Sequence, residues 1–152
     1  MVAEAGNLLT RVNTVKPTPD ERVVGVDAGM TDLLRAAMYD AYHPICNLGG
    51  GVGGNGEDAL DPDDRPATPV TVAGPICETG DTLCRNRALA DPIRGDLLAV
   101  GIAVAYGYEM ANQYNSRPRP AEIALDGGTS TVVRRRETLE DLTAVERETG
   151  AG

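Results

Sequence analysis

Tryptophan and phenylalanine are absent from these 152 residues, and tyrosine occurs only 5 times. A core built from this chain must therefore be filled by Val, Ile, Leu and Ala. Lysine is nearly absent too: of 14 basic residues only Lys16 is not arginine, and the net charge is -9. That balance excludes a nucleic-acid-binding face, which needs clustered positive charge. An acidic, lysine-poor surface instead fits a salt-rich, halophile-like cytosol, where screening blunts carboxylate repulsion. No apolar run approaches the ~18–20 residues of a membrane span. The opening MVAEAGNLLTRV lacks a basic region followed by an apolar stretch, so it does not read as a secretory signal, and a cytoplasmic location is expected. The three cysteines, Cys46, Cys77 and Cys84, are odd in number and form no CxxC, which points to free thiols in a reducing compartment. With His43 the sole histidine, the ligand set for a zinc site is lacking, and no metal is expected.

What is present reads mostly as strands. Residues 7–15 (NLLTRVNTV) are rich in β-branched residues in rough alternation, KPTPDE turns, and Arg22–Val26 (RVVGV) forms a second strand. Residues 32–42 (DLLRAAMYDAY) have helical spacing, with Leu34, Ala37 and Met38 on one face and Asp32 placed to cap the start. Residues 46–69 are dominated by Gly, Asp and Pro and predict a flexible insertion. Their GGGVGG run lacks the GK[ST] end of a phosphate loop. Order resumes with PVTVAG. Residues 96–105 (DLLAVGIAVA) read as one strand buried on both faces and ending at Tyr106. After the Pro-punctuated QYNSRPRP, residues 121–125 and 131–135 flank DGGTS as a hairpin, and Thr138 with Asp141 resembles the capping box of a terminal helix running from Thr138 to residue 148. The sum is a single domain, mostly β with minor α, closing as a barrel.

Several side chains carry chemical potential. In GPICETGD, Glu78 and Asp81 place negative charge near Cys77, and like charge disfavours a thiolate. A chemical Cys77 is then a proton donor rather than a nucleophile; the alternative is a buried structural thiol. Arg35 and Tyr39, four apart on the predicted helix, form either a carboxylate or phosphate clamp or an arginine packed on a tyrosine ring. Tyr106 lies at a pocket mouth or in the core. Arg117 and Arg119, between prolines, brace a turn. Arg134, Arg135 and Arg136 alternate on a strand, solvated or paired with the terminal acidic helix, and His43, just before Pro44, is structural.

Taken in order, VDAGMTDLLRAAMYDAYHPI, VAGPICETGD, GDLLAV…AYGY and YNSRPRPAEIALDGG, followed by RRRETLEDL, closely resemble the C-terminal half of diaminopimelate decarboxylase. The resemblance covers nearly the whole chain outside the Gly/Asp-rich insertion. It implies a C-terminal β-barrel domain of the alanine racemase/decarboxylase type, working with an N-terminal α/β barrel that carries pyridoxal 5'-phosphate on a lysine. Active sites then lie at a homodimer interface, and the substrate is meso-diaminopimelate, decarboxylated to lysine. The resemblance also implies roles: Cys77 as the general acid that reprotonates the α-carbon, Glu78 as the holder of the distal ammonium, Arg35 and Tyr39 as the clamp on the distal carboxylate, and Tyr106 as a contact to cofactor phosphate and substrate. The barrel and its anchoring lysine are absent from these residues. Lys16, before Pro17, matches no cofactor motif, so the chain is not expected to act alone. An ornithine or arginine decarboxylase is the nearest rival, but substrates ending in a cation are repelled by Arg35. A non-catalytic module that pairs with full-length enzyme is the other.

Overall fold

The computed structural model describes residues 3–50 and 61–146. They fall into two compact units, Met1–Ala111 and Asn112–Gly152. The first is a six-stranded sheet. Its strands are β1 (Leu8–Pro17), β2 (Arg22–Val26), β3 (Ile45–Gly49), β4 (Ala67–Ala73), β5 (Thr82–Ala90) and β6 (Leu97–Val100), arranged in the order β3-β6-β1-β2-β4-β5. All pairs are antiparallel except β2–β4.

The long strand β1 changes partner midway. Leu8–Arg11 pair with β6, whereas Val12–Pro17 pair with β2, and the register slips between Val12 and Thr14. Such an irregularity bends a strand and raises its twist. The sheet accordingly curls until its two edges approach one another: Asn47 of β3 donates through Nδ2 to the Ala90 carbonyl of β5 at 3.2 Å and to Asp96 at 2.9 Å. Asp96 is fully buried. It also accepts from the Ile93 amide and pairs with Arg65, which closes that corner. Inside the curl lie Val12, Val24, Val26, Leu33, Val70, Val72, Leu83, Leu89, Leu98 and Val100. The aliphatic core expected from the missing aromatics is thus what forms. Among the described residues no helix is long and apolar enough to cross a membrane.

Several boundaries differ from the expectation. The insertion placed at 46–69 is ordered at both ends: Cys46–Gly49 belong to β3, Pro62–Asp64 form a 3₁₀ turn, and Ala67–Pro69 open β4. Backbone pairing to Ala99 and Leu98 orders Cys46 and Asn47 although the segment has few apolar side chains. Residues 51–60 of that stretch lie outside the described residues. Strand β5 was not anticipated. Its centre, RNRA, is polar, and Asn86 takes a positive φ of 44° that breaks the alternation.

The helix expected at 32–42 is shorter: α1 spans Leu34–Tyr39 and ends at Asp40, whose φ of 51° is left-handed. Asp32 does not cap it. Its carboxylate accepts from the Gly29 amide at 3.0 Å, one turn earlier, and Leu33 holds the N-cap position without a side-chain bond. The buried anchor is Leu33, while Met38 is exposed. The strand expected at 96–105 stops at Val100. Gly101 donates to the Pro44 carbonyl at 2.7 Å and Ile102 takes a φ of 57°, so the apolar run turns away into helix α2 (Gly107–Met110).

The second unit is local in construction. Strands β7 (Glu122–Asp126) and β8 (Thr129–Arg134) form the expected hairpin around Gly127 and Gly128, whose φ values of 52° and 83° suit a two-residue turn. Helix α3 (Leu139–Thr143) carries the full capping box between Thr138 and Asp141, but it is shorter than expected: Ala144 is its C-cap, and residues 147 and 148 lie outside the described residues. Arg119 braces its turn on Glu137, donating from its backbone amide at 2.9 Å and its Nε at 2.8 Å. Only Arg134 of the three consecutive arginines is on the strand; it pairs with Glu122, and Arg135 pairs with Asp141 of α3.

Candidate functional site

The loop 74–81 is closed by its own backbone. Gly74 donates to the Asp81 carbonyl at 2.9 Å, and Asp81 to the Glu78 carbonyl at 3.0 Å. Residues 77–80 project outward as an exposed tip. Cys77 is therefore not the buried structural thiol that its neighbours left open. Asp81 is only 2% exposed. Its carboxylate accepts from the amides of Ile76 at 2.7 Å and Met30 at 2.6 Å. The acidic pair expected beside the thiol is thus divided: Glu78 is at the surface with Cys77, and Asp81 spends its charge on two backbone N–H groups.

Met30 belongs to the turn that launches α1. Asp32 and Leu33 both donate to the Gly29 carbonyl at 2.9 Å, and the chain then enters the helix. Arg35 and Tyr39 sit four apart on that helix, as expected, with Arg35 half-buried and Tyr39 exposed. Such spacing places both side chains on one face. Tyr106 neither ends a buried strand nor joins the core. It is the N-cap residue of α2, in the left-handed region at φ 61°, with 66% of its surface exposed. The next residue, Gly107, is buried where an added Cβ would lie 3.8 Å from Leu33. Leu33 is therefore a hub: the start of α1 and the start of α2 meet on it, and Asp81 ties the 74–81 loop to the turn just before it.

His43 is structural, as read from the sequence. It is fully buried and its Nδ1 donates to the Gly101 carbonyl at 3.0 Å. Arg87 of β5 donates to the His43 carbonyl and covers the Tyr42 ring at 4.4 Å. Cys84 lies buried on β5, and burial pushes its thiol above the ordinary value. The residues that sequence reasoning missed are Gly29 and Gly74. A Cβ at Gly29 would lie 2.5 Å from one oxygen of Asp81, and a Cβ at Gly74 would lie 2.3 Å from the other. The AG of VDAGM and of VAGPI carried that signal, but only a fold shows what the glycines make room for.

Comparison with known proteins fits this geometry. Residues 2–103 match the family described as pyridoxal-dependent decarboxylase, C-terminal sheet domain. The diaminopimelate decarboxylase of Methanothermobacter thermautotrophicus is 46% identical over 142 residues, 93% of this chain and 30% of that protein. The Neisseria meningitidis serogroup B enzyme of the same name is 44% identical over 146 residues, 96% of this chain and 32% of that protein. Among solved structures, diaminopimelate decarboxylase from M. jannaschii in complex with L-lysine superposes with a TM-score of 0.81 at 39% identity, covering 95% of this chain and 30% of that one. The chain thus spans about a third of the length of the curated relatives it matches. With its motifs, its curled sheet and these relatives in agreement, the chain belongs to the C-terminal sheet-domain family of pyridoxal-dependent decarboxylases.

Proposed function

We propose that this chain provides substrate recognition and the proton donor of a diaminopimelate decarboxylase, which converts meso-2,6-diaminopimelate to L-lysine and carbon dioxide in lysine biosynthesis. It works in the cytoplasm with an α/β-barrel domain, as a homodimer whose sheet domains complete each other's sites. The observation that carries this reading is the exposed Cys77–Glu78 pair on a loop whose backbone is fixed from beneath by Asp81. The relatives' shared name supplies the substrate class.

Pyridoxal phosphate, when bound by the family, supplies an electron sink for the carboxylate that leaves. The residues here fit one edge of it. Tyr106 presents an exposed phenol for a phosphate oxygen, whereas the sole lysine, Lys16, is paired with Val23 out on the sheet. The anchoring lysine therefore comes from the barrel. Cys77 delivers a proton to the carbon that has lost its carboxylate, and Glu78, one residue on, accepts the distal ammonium in a charge-assisted bond. Arg35 forks onto the distal carboxylate with Tyr39 beside it, which favours this substrate over one ending in a cation.

The test is reconstitution. With pyridoxal phosphate and diaminopimelate, the chain alone should release carbon dioxide no faster than free cofactor does. Joined to the barrel domain of a relative, it should turn over. Release by the chain alone, or silence of a folded assembled pair, would contradict the reading.

A further inference from the structure

Strand β6 stops just before Gly101, and two successive residues hold that glycine by both of its backbone groups. The Gly101 amide donates to the Pro44 carbonyl at 2.7 Å, and the Gly101 carbonyl accepts from Nδ1 of His43 at 3.0 Å. The approach is so close that a Cβ on Gly101 would lie 2.9 Å from the Pro44 ring. His43 is fully buried, and its other ring nitrogen, Nε2, has no partner among the described residues. The imidazole thus directs its hydrogen bonding to one carbonyl. Its own backbone is held in turn, because Arg87 of β5 donates to the His43 carbonyl.

The chain beyond Gly101 runs through backbone that side chains disfavour. Ile102 takes a φ of 57° and Tyr106 a φ of 61°. A β-branched residue in the left-handed region is a genuine outlier, and such backbone persists only where its surroundings over-determine it. The fixed points here are His43 and Pro44 at Gly101, the Gly6 carbonyl, which accepts from the Ala103 amide at 3.0 Å, and Leu33 against Gly107. Of these, only His43 supplies a side-chain hydrogen bond, and it fixes the peptide that enters Ile102. We propose that His43 is a positioning residue. Its imidazole sets the left-handed turn at Ile102, and that turn sets where the Tyr106 phenol stands.

This role rests on the functional reading above, in which Tyr106 offers its hydroxyl to a phosphate oxygen of the cofactor. Hydrogen bonds weaken steeply with poor angle and distance. A small turn of the 101–106 backbone therefore costs the contact while leaving the phenol intact. His43 itself touches neither cofactor nor substrate.

NMR on the full 152-residue chain tests the link without cofactor. In the wild type, the ring nitrogen shifts of His43 should place a hydrogen on Nδ1, with through-hydrogen-bond coupling to the Gly101 carbonyl carbon. A hydrogen on Nε2 alone overturns the proposal. His43→Leu fills the space without a donor. Exchange of the Ala103 and Met110 amides should then quicken by about fivefold to a hundredfold, the effect of leaving a carbonyl without its donor. His43→Asn places an amide N–H near the position of Nδ1 and should restore slow exchange, with the β2–β4 ladder unchanged in both variants. In the assembled enzyme, Tyr106→Phe should weaken pyridoxal phosphate binding by about tenfold or more, read from the absorbance of the bound cofactor. His43→Leu should weaken it too, and the double variant should be no weaker than Tyr106→Phe, because residues acting through one contact are not additive. A further loss in the double variant overturns the proposal, since His43 would then act by another route. Unchanged exchange in His43→Leu, with Tyr106→Phe still weakening the cofactor, overturns the positioning role and spares the functional reading. Quickened exchange with a neutral Tyr106→Phe supports the link from His43 to the 101–106 backbone and overturns the cofactor contact alone.

Discussion

The loop 74–81 and the strand β5 that follows it each carry a cysteine, and the two thiols live in opposite surroundings. Cys84 is sealed into the core opposite Val72, where desolvation pushes its pKa up and keeps it neutral. Cys77 is exposed on the tip of a loop that backbone bonds close and the buried Asp81 carboxylate holds from beneath. Burial makes a thiol inert, whereas exposure on a rigid backbone lets it meet a ligand at a set distance. The difference teaches that an exposed residue can be positioned by hydrogen bonds beneath it, where a core residue is positioned by the packing around it.

The largest expected effect separates the two cysteines directly. In the assembled enzyme, Cys77→Ala should lower kcat by about 10²–10⁴-fold with little change in KM, the mark of a group that acts in the transition state. Cys84→Ala should leave kcat alone and cost about 1 kcal/mol of stability, measured by urea unfolding. Equal kinetic effects of the two changes would erase the distinction.

Next come the proposed recognition residues. Glu78→Gln and Arg35→Lys should each weaken substrate binding by about tenfold to a hundredfold, the worth of one hydrogen bond to a charged group. The effect belongs in KM rather than kcat; a pure kcat loss in either variant would place that residue in the chemistry instead.

A smaller effect sharpens the contrast in the native chain itself. A thiol-specific disulfide reagent should modify Cys77 and the exposed Cys46 promptly, and Cys84 only on unfolding. Mass mapping after brief labelling reads the order, and early modification of Cys84 would mean that the strand opens locally.

The smallest effect lies in the second unit, where ion pairs replace a core. Arg119, helped by Gln113, holds Glu137 down from 4.5 to about 2. A carboxyl with a depressed folded-state pKa lends stability that is full above its ordinary value and is lost as pH falls toward about 2. The brace around Glu137 should therefore hold at pH 6 and loosen between pH 4.5 and about 2. In Glu137→Gln that pH step should vanish from the Arg119 amide shift, and a step that survives belongs to another group.

How much of this was legible in the sequence varies with how local each feature is. Residues 22–26, the Gly127–Gly128 hairpin and the Thr138–Asp141 capping box are set by neighbouring residues; the first and last form where the sequence predicts, and the hairpin forms with a tighter turn, its second strand opening at Thr129 rather than at 131. Strand β5 and the ends of the 46–69 segment were illegible because distant backbones, rather than alternating side chains, order them. At the site, Arg35 and Tyr39 could be placed by helical spacing, and Cys77 with Glu78 by their motif. Tyr106 was misplaced because an apolar run does not announce the left-handed residue at 102 that ends its strand. Asp81 read as one more charge beside the thiol. Its partner at Met30 lies far away in sequence, and no periodicity links the two.

The account stands on Cys77 being the hand that returns a proton, and the product records which hand it was. In deuterated water, the assembled wild-type enzyme should place one deuterium, on a single face, at the carbon that lost its carboxylate. The residual turnover of Cys77→Ala should label both faces, because solvent then reaches that carbon without a fixed donor. Single-face labelling retained by Cys77→Ala at undiminished rate would contradict the account and return Cys77 to an ordinary surface thiol.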